Sequence, residues 1–542
     1  MSQAIKHPAV INAPRIESRI GFIPSSLISF LPAIIAVGGA ALLTWLRVRV
    51  GNEQHFVSDG ALMMLALACY LTAAVFHLTD LYAPSRLFQR LGLWAATGGV
   101  FFNLSSWLVR WVTAYERELA VFTRQGGQTP WFFRYIPFAN LYDLSLAFAF
   151  GAGLATLLIA HRKSFRFLGA LSLPLAAIIL ILARFIGGEI VNLPPVLDSY
   201  WRPIHVGTAS LSYGVALVCF AAAVVYLLKD GVKTEAMGVW SSLFALAVIA
   251  SVSRFSVFSP ATFGAYGASA FIGTDAARSM SLPLRVDLPY VGWLLALSGA
   301  LLVGTIILFG RYLARESESA RAWGHRLLKL SLVAQGAGVA ALVWQVKTLT
   351  SVVEHIDPRQ YAKFGQYLAE QQGLAPQQVA ALGQAQLENA AAQFIQTRGG
   401  ELFLSLKSNP VELSALIAAF TATLFVIIFS FKTERLRAAL PDREKIDSLM
   451  YKTGGVTFAG LALLLMTGAI WANESWGRYW GWDSKETGAF VAWLTYGGFL
   501  HVRISRGWTG RASAYFAIVA FLLIVFTYLG VSYLLPGLHS YA

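Results

Sequence analysis

Residues 453–502 read TGGVTFAGLALLLMTGAIWANESWGRYWGWDSKETGAFVAWLTYGGFLHV. Two apolar runs, 453–472 and 488–502, flank a segment that is both charged and densely aromatic. A helix needs about 20 apolar residues to cross the hydrocarbon of a bilayer. Within lipid, only helices and closed barrels satisfy their own backbone hydrogen bonds. The quoted stretch therefore predicts two crossing helices joined by a loop at the membrane surface. Moving outward, comparable runs recur near 24–46, 61–79, 92–112, 139–160, 167–186, 206–228, 238–258, 288–310, 330–349, 411–431 and 512–534. The expectation is an all-α, polytopic integral membrane bundle of about thirteen transmembrane helices.

Composition agrees. Of 542 residues, 56% are hydrophobic and 13% charged, against about 25% charged in soluble domains. The formal charge of +14 raises the question of nucleic acid, but the basic clusters, such as HRKSFR at 161–166 and the stretch 432–452, each adjoin a span. Topology accounts for them, because Lys and Arg resist translocation, and no nucleic-acid partner is expected. Their bias puts the N-terminus in the cytoplasm and the C-terminus outside. Residues 1–23 have no contiguous apolar core and no small-residue cleavage site, so no cleaved signal peptide is expected. Cys69 and Cys219 lie far apart inside predicted spans, which removes a CxxC redox pair and a thiolate metal site from consideration.

Two external segments interrupt the pattern. Residues 259–287 are rich in Gly, Ser and Ala and read as irregular. Residues 350–410 carry Ala- and Gln-rich stretches with a helical period and predict a small external helical hairpin.

The loop WANESWGRYWGWDSKE, Trp471 to Glu486, holds four tryptophans within twelve residues. One or two would be ordinary anchors at the membrane–water interface. Four, with Tyr479 and interleaved with Asp483, Lys485 and Glu486, exceed what anchoring requires. A haem explains such a loop: aromatic faces hold a flat apolar macrocycle, and cations hold its propionates. Arg478 and Lys485 are the candidate cations. With no thiolate in the loop, imidazole is the expected iron ligand. His205 and His539 fall at predicted external ends of spans. Either alone would more often be an interfacial residue; both beside this loop make a candidate site.

The loop resembles the WWD motif of haem-handling proteins, with Trp476, Gly477, Trp480, Trp482 and Asp483 at the motif's positions. The flanks GAIWANESWGRYWGWDSKETGAF, FLHVR (499–503) and GLHSY (537–541) are similar to the CcsA, or ResC, family of system II cytochrome c biogenesis. PFANLYDLSLAF (137–148) and SYWRPIHVGTASLSYG (199–214) resemble that family's N-x-Y-[DE] segment and external histidine helix. The expected division is 1–136, N-terminal helices; 137–230, family-like helices with His205; 231–445, an insertion of four spans with the hairpin 350–410; and 446–542, the WWD domain.

The resemblance implies a membrane protein that takes haem b as cargo and presents it outside for attachment to the CxxCH motif of an apocytochrome c. His205 and His539 would be external axial ligands and His501 an intramembrane ligand. The intramembrane partner would be His77 or a residue of another protein, and a ring bonded to a helix carbonyl is the ordinary alternative for such histidines. Trp471, Trp476, Gly477, Arg478, Tyr479, Trp480, Trp482, Asp483, Lys485 and Glu486 would form the haem-contacting loop. Implied partners are a CcsB/ResB-type membrane protein, apocytochrome c and a thiol-reducing thioredoxin-like protein. The chain would be a subunit of a holocytochrome c synthase, or haem lyase-type, complex. The location implied is a bacterial inner or thylakoid-type membrane with the loop on the periplasmic side. The rivals are a haem exporter without synthase activity and a system I protein like CcmC or CcmF.

Overall fold

The structure is a computed structural model that describes residues 30–51, 56–127, 131–190, 195–252, 266–273, 279–408 and 410–531. Its helices are α1 (Leu31–Val50), α2 (Asp59–Tyr82), α3 (Arg86–Arg124), α4 (Leu141–Ala160), α5 (Leu168–Ile186), α6 (Trp201–Lys229), α7 (Thr234–Ser251), α8 (Val291–Arg315) and α9 (Glu318–Thr348). There follow α10 (Tyr361–Gln371), α11 (Pro376–Ala380), α12 (Gln384–Arg398), α13 (Pro410–Ser430), α14 (Thr433–Ala439), α15 (Arg443–Trp476), α16 (Ser484–Arg506) and α17 (Arg511–Val525). The last continues as a π-helical turn, Phe526–Gly530.

Each expected span overlaps one helix. Eleven of the described helices are long and apolar enough to cross a membrane; α3 and α16 carry too much polarity to join them. The chain is a polytopic α-helical membrane protein. At 39 residues, α3 is roughly 58 Å long, well beyond the ~30 Å of hydrocarbon. Its final turns, with Glu116, Arg117 and Glu118, suit water better than lipid.

The bundle is organised around α6, which packs on α4, α15 and α17. Small residues allow this. A Cβ at Gly214 of α6 would lie 2.4 Å from the backbone nitrogen of Ala152 in α4, so the two backbones touch. Such contacts replace the hydrophobic drive that lipid cannot supply between helices. Helices α7, α8, α9 and α13 pack on one another, and α13 leans on α5.

Chain alternation gives the bundle two ends. At one, the loop end, α2, α4, α6 and α16 begin and α5 and α15 finish. At the other, Asp230 accepts hydrogen bonds from Arg443 Nη1 and Arg511 Nε, both at 2.7 Å, clasping the α6–α7 turn to the starts of α15 and α17. Burial alone would raise the Asp230 pKa, but the two arginines outweigh it and hold the carboxyl below its ordinary range. A depressed pKa contributes stability above the unfolded value near 4, lost as pH falls through the folded value. Asp230→Asn is expected to cost about 2 kcal/mol at pH 7. In thermal unfolding of detergent-solubilised protein, the gap between wild type and variant should narrow as pH drops below about 4.

Outside the bundle, the segment read as irregular forms strands. β1 (Gly267–Gly273) pairs antiparallel with β2 (Ser279–Asp287), and β3 (Leu402–Phe403) adds to the other side of β1. The correction has a visible cause: Leu282, Leu284 and Val286 alternate and are all buried, a period-two pattern masked by the surrounding Gly, Ser and Ala. This inner face shares a core with Phe364, Ala391 and Ile395 of the hairpin α10–α12. The hairpin closes tightly, since a Cβ at Gly365 would sit 2.0 Å from the Leu387 carbonyl oxygen.

Candidate functional site

At the loop end, α4, α6, α15, the following loop, α16 and the π turn enclose one cavity. Its volume is about 180 Å³, and it is open on one side. Rings dominate its lining: Phe138, His205, Tyr213, Trp471, Trp476, Tyr479, Trp480 and Tyr528, with Lys485 and Glu486 among them.

Local chemistry fixes the loop. α15 stops at Gly477, whose φ of +67° gives a left-handed C-cap. Asp483 caps α16 in a capping box with Glu486. Glu486 Oε2 also accepts from the backbone N–H groups of Gly481 at 2.8 Å and Asp483 at 3.2 Å. One carboxylate thus gathers the whole turn. Trp482 adopts φ +55°, rare for a side chain of that size. It is 69% exposed, outside the cavity lining, with its ring edge-on to Trp480 at 5.6 Å.

His205 stands one turn into α6. Its Nδ1 lies 2.9 Å from the Leu464 carbonyl oxygen of α15. A carbonyl only accepts, so Nδ1 carries the proton and Nε2 bears the lone pair, the arrangement that orients metal-binding imidazoles. Gly468 leaves the ring its room, since a Cβ there would meet Cε1 at 2.7 Å. Trp471 lies with its ring 5.6 Å from His205 and its Nε1 donates to Leu197 O.

Two further features suit a ligand. Lys485 lines the cavity and makes no ion pair among the described residues. Trp480 Nε1 is buried and unpartnered; a buried donor left unmet costs about 1–3 kcal/mol.

Other expected residues are placed differently. His539 lies outside the described residues. Arg478 is exposed and does not line the cavity; its guanidinium covers Gly481, where a Cβ would meet Cζ at 2.6 Å. His501 is on an exposed face of α16. His77 is buried on α2, its ring against Gly92 of α3 and Gly169 of α5, with Nδ1 unpartnered. The structure does not bring the two rings to one shared space, because His77 is enclosed by α3 and α5 while His501 faces outward.

The NLYD segment, Asn140 to Asp143, shows what sequence reading missed. Asn140 caps α4 by accepting from Asp143 N at 3.0 Å. Asp143, buried, takes Arg110 Nε of α3 at 2.5 Å and the Ala139 N–H at 2.9 Å. Arg110 also donates to Asp59 Oδ2 at 3.3 Å, Gly188 O at 2.7 Å and Glu189 O at 2.8 Å, and lies over the Tyr142 ring at 4.5 Å. This buried network sets the wall from which Phe138, Leu141 and Leu144 face the cavity. The available signal was Arg110 itself, since a charge in an apolar helix demands a partner.

Fold and site together define a polytopic helical membrane protein with a ring-lined cavity opening at one end of its bundle. The chain matches the family model of the cytochrome c assembly proteins over residues 138–266 and 413–539. It is 55% identical over 98 residues to the cytochrome c biogenesis protein CcsA of Prochlorococcus marinus (strain MIT 9515), covering 18% of this chain and 31% of that protein. It is 50% identical over 102 residues to the CcsA of Synechococcus sp. (strain CC9605), covering 19% and 34%. The chain thus spans about a third of the length of these curated relatives. Between the matched stretches lie the sheet, the hairpin, α8 and α9.

Proposed function

We propose that this protein serves cytochrome c biogenesis by holding haem b in the loop-end cavity and presenting it to the CxxCH segment of an apocytochrome c. The observation that carries the reading is the company His205 keeps. A pre-oriented imidazole, a cation without an ion pair among the described residues and an unmet indole N–H line one aromatic cavity. Those are a ligand for iron, a partner for a propionate and a donor for a second polar group.

In this reading the loop faces the periplasm, with the far end and its Asp230 clasp in the cytoplasm. His539 would be the second external ligand. His501, exposed on α16, would work in the membrane with a residue of a CcsB/ResB-type partner. The attachment itself adds two apocytochrome thiols across the haem vinyl groups, so the partner complex must keep those thiols reduced, a role for a thioredoxin-like protein. The chain's own contribution is proximity and orientation. Trp471, Trp476 and Trp480 fix the plane of the macrocycle, and Asp483 and Glu486 hold the loop.

The test is to purify the protein from haem-replete cells with its membrane partner and add a CxxCH peptide. A b-type spectrum with bis-histidine character and transfer of haem to the peptide are expected. Colourless protein would sink the reading, and haem without transfer would favour an exporter.

A further inference from the structure

An ion pair ties the segment between the two family-matched stretches to the chain beside the cavity wall. Lys407, in the turn after β3, places Nζ 2.6 Å from Glu189 Oε1. Its aliphatic stem crosses Gly187, where φ is +92° and a Cβ would lie 2.6 Å from Lys407 Cε. The next residue, Ser408, is tied to the sheet, its Oγ donating to Ser269 O at 2.8 Å. On the other side, Glu189 O accepts from Arg110 Nη2 at 2.8 Å and from Asn140 Nδ2 at 3.2 Å. Asn140 Oδ1 in turn accepts the Asp143 N–H, and Asn140 and Leu141 line the cavity. The short stretch 187–189 is thus gripped from two sides: by the buried Arg110 network of the bundle and by the sheet-and-hairpin unit outside it.

We propose that Lys407 and Glu189 are positioning residues through which the inserted segment 267–408 sets the cavity wall at Phe138–Leu144. This rests on the cavity being the functional site and assigns the insertion a part in shaping it. The pair is half open to solvent, Lys407 at 26% and Glu189 at 57% side-chain exposure. Exposed pairs contribute little, so the coupling is about two- to fivefold. It should weaken with salt.

Hydrogen exchange on the full-length, haem-free protein tests this without reliance on any ligand. The amides of Ala139 and Asp143 report directly, being bonded to Asp143 Oδ2 and Asn140 Oδ1. Lys407→Gln is expected to speed their exchange about two- to fivefold, and the swapped pair Lys407→Glu with Glu189→Lys to restore it. Unchanged exchange at 139–143, change confined to 402–408, or no recovery in the swap would each overturn the proposal. Haem release from loaded protein, followed in parallel, should accelerate by the same factor. If exchange responds and haem release does not, the coupling stands and the haem reading of the cavity fails.

Discussion

His205→Ala is expected to leave the protein folded and to lower haem retention at the loop end at least about tenfold, the effect of losing some 1.4 kcal/mol of binding. The two halves of that outcome separate because the ring does little for the fold. Its hydrogen bond to Leu464 O is worth about 1 kcal/mol. That carbonyl also receives the Thr467 hydroxyl at 3.2 Å. For the ligand the imbalance is reversed, since Nε2 is the lone pair aimed by that same bond. The substitution leaves a void of imidazole shape beside Gly468, so imidazole in the medium should restore part of the haem signal and part of cytochrome c maturation. The check is the absorption spectrum of purified variant against wild type, with thermal unfolding alongside. Full maturation in the variant without imidazole would remove His205 from the ligand set.

Arg110→Leu is expected to act on the whole molecule. It leaves Asp143 buried without its counter-charge and strips donors from Asp59, Gly188 O and Glu189 O. Breaking a buried ion pair from one side costs about 3–5 kcal/mol, enough to keep the variant from accumulating in the membrane. Arg110→Lys should be intermediate, because an ammonium cannot span four acceptors as a guanidinium fork does. Pairing Arg110→Leu with Asp143→Leu should recover part of the loss, since removing both charges abolishes the uncompensated one. Yield and thermal midpoint in detergent decide the matter. If Arg110→Leu accumulates normally, the network is not what supports this wall.

The spans were legible because lipid imposes one simple demand, a helix of apolar residues near 20 long, and every expected span overlaps a helix. The ring-rich lining was legible from density: Trp471, Trp476, Tyr479 and Trp480 stand close in sequence and reach one cavity. What escaped depends on pairings between distant residues. Arg110 and Asp143 come from different helices, and neither declares the other. Lys407 and Glu189 are separated by the whole insertion. The sheet was hidden by composition, although Leu282, Leu284 and Val286 kept its period. Charge alone makes Arg478 a candidate cation, but its guanidinium lies over Gly481 and not in the cavity lining. Tyr528 reaches the cavity through a π-helical turn, whose extra residue per turn re-aims a helix face in a way apolar periodicity does not reveal.

Trp482 sits where the backbone asks for glycine. A left-handed conformation costs a bulky residue about 1–2 kcal/mol, a strain that a glycine at φ +55° would avoid. The chain nonetheless keeps there one of its largest rings, mostly in water. A loop honed only for stability would have discarded it. The strain therefore ranks the priorities of this turn: an outward-facing indole outweighs an unstrained backbone.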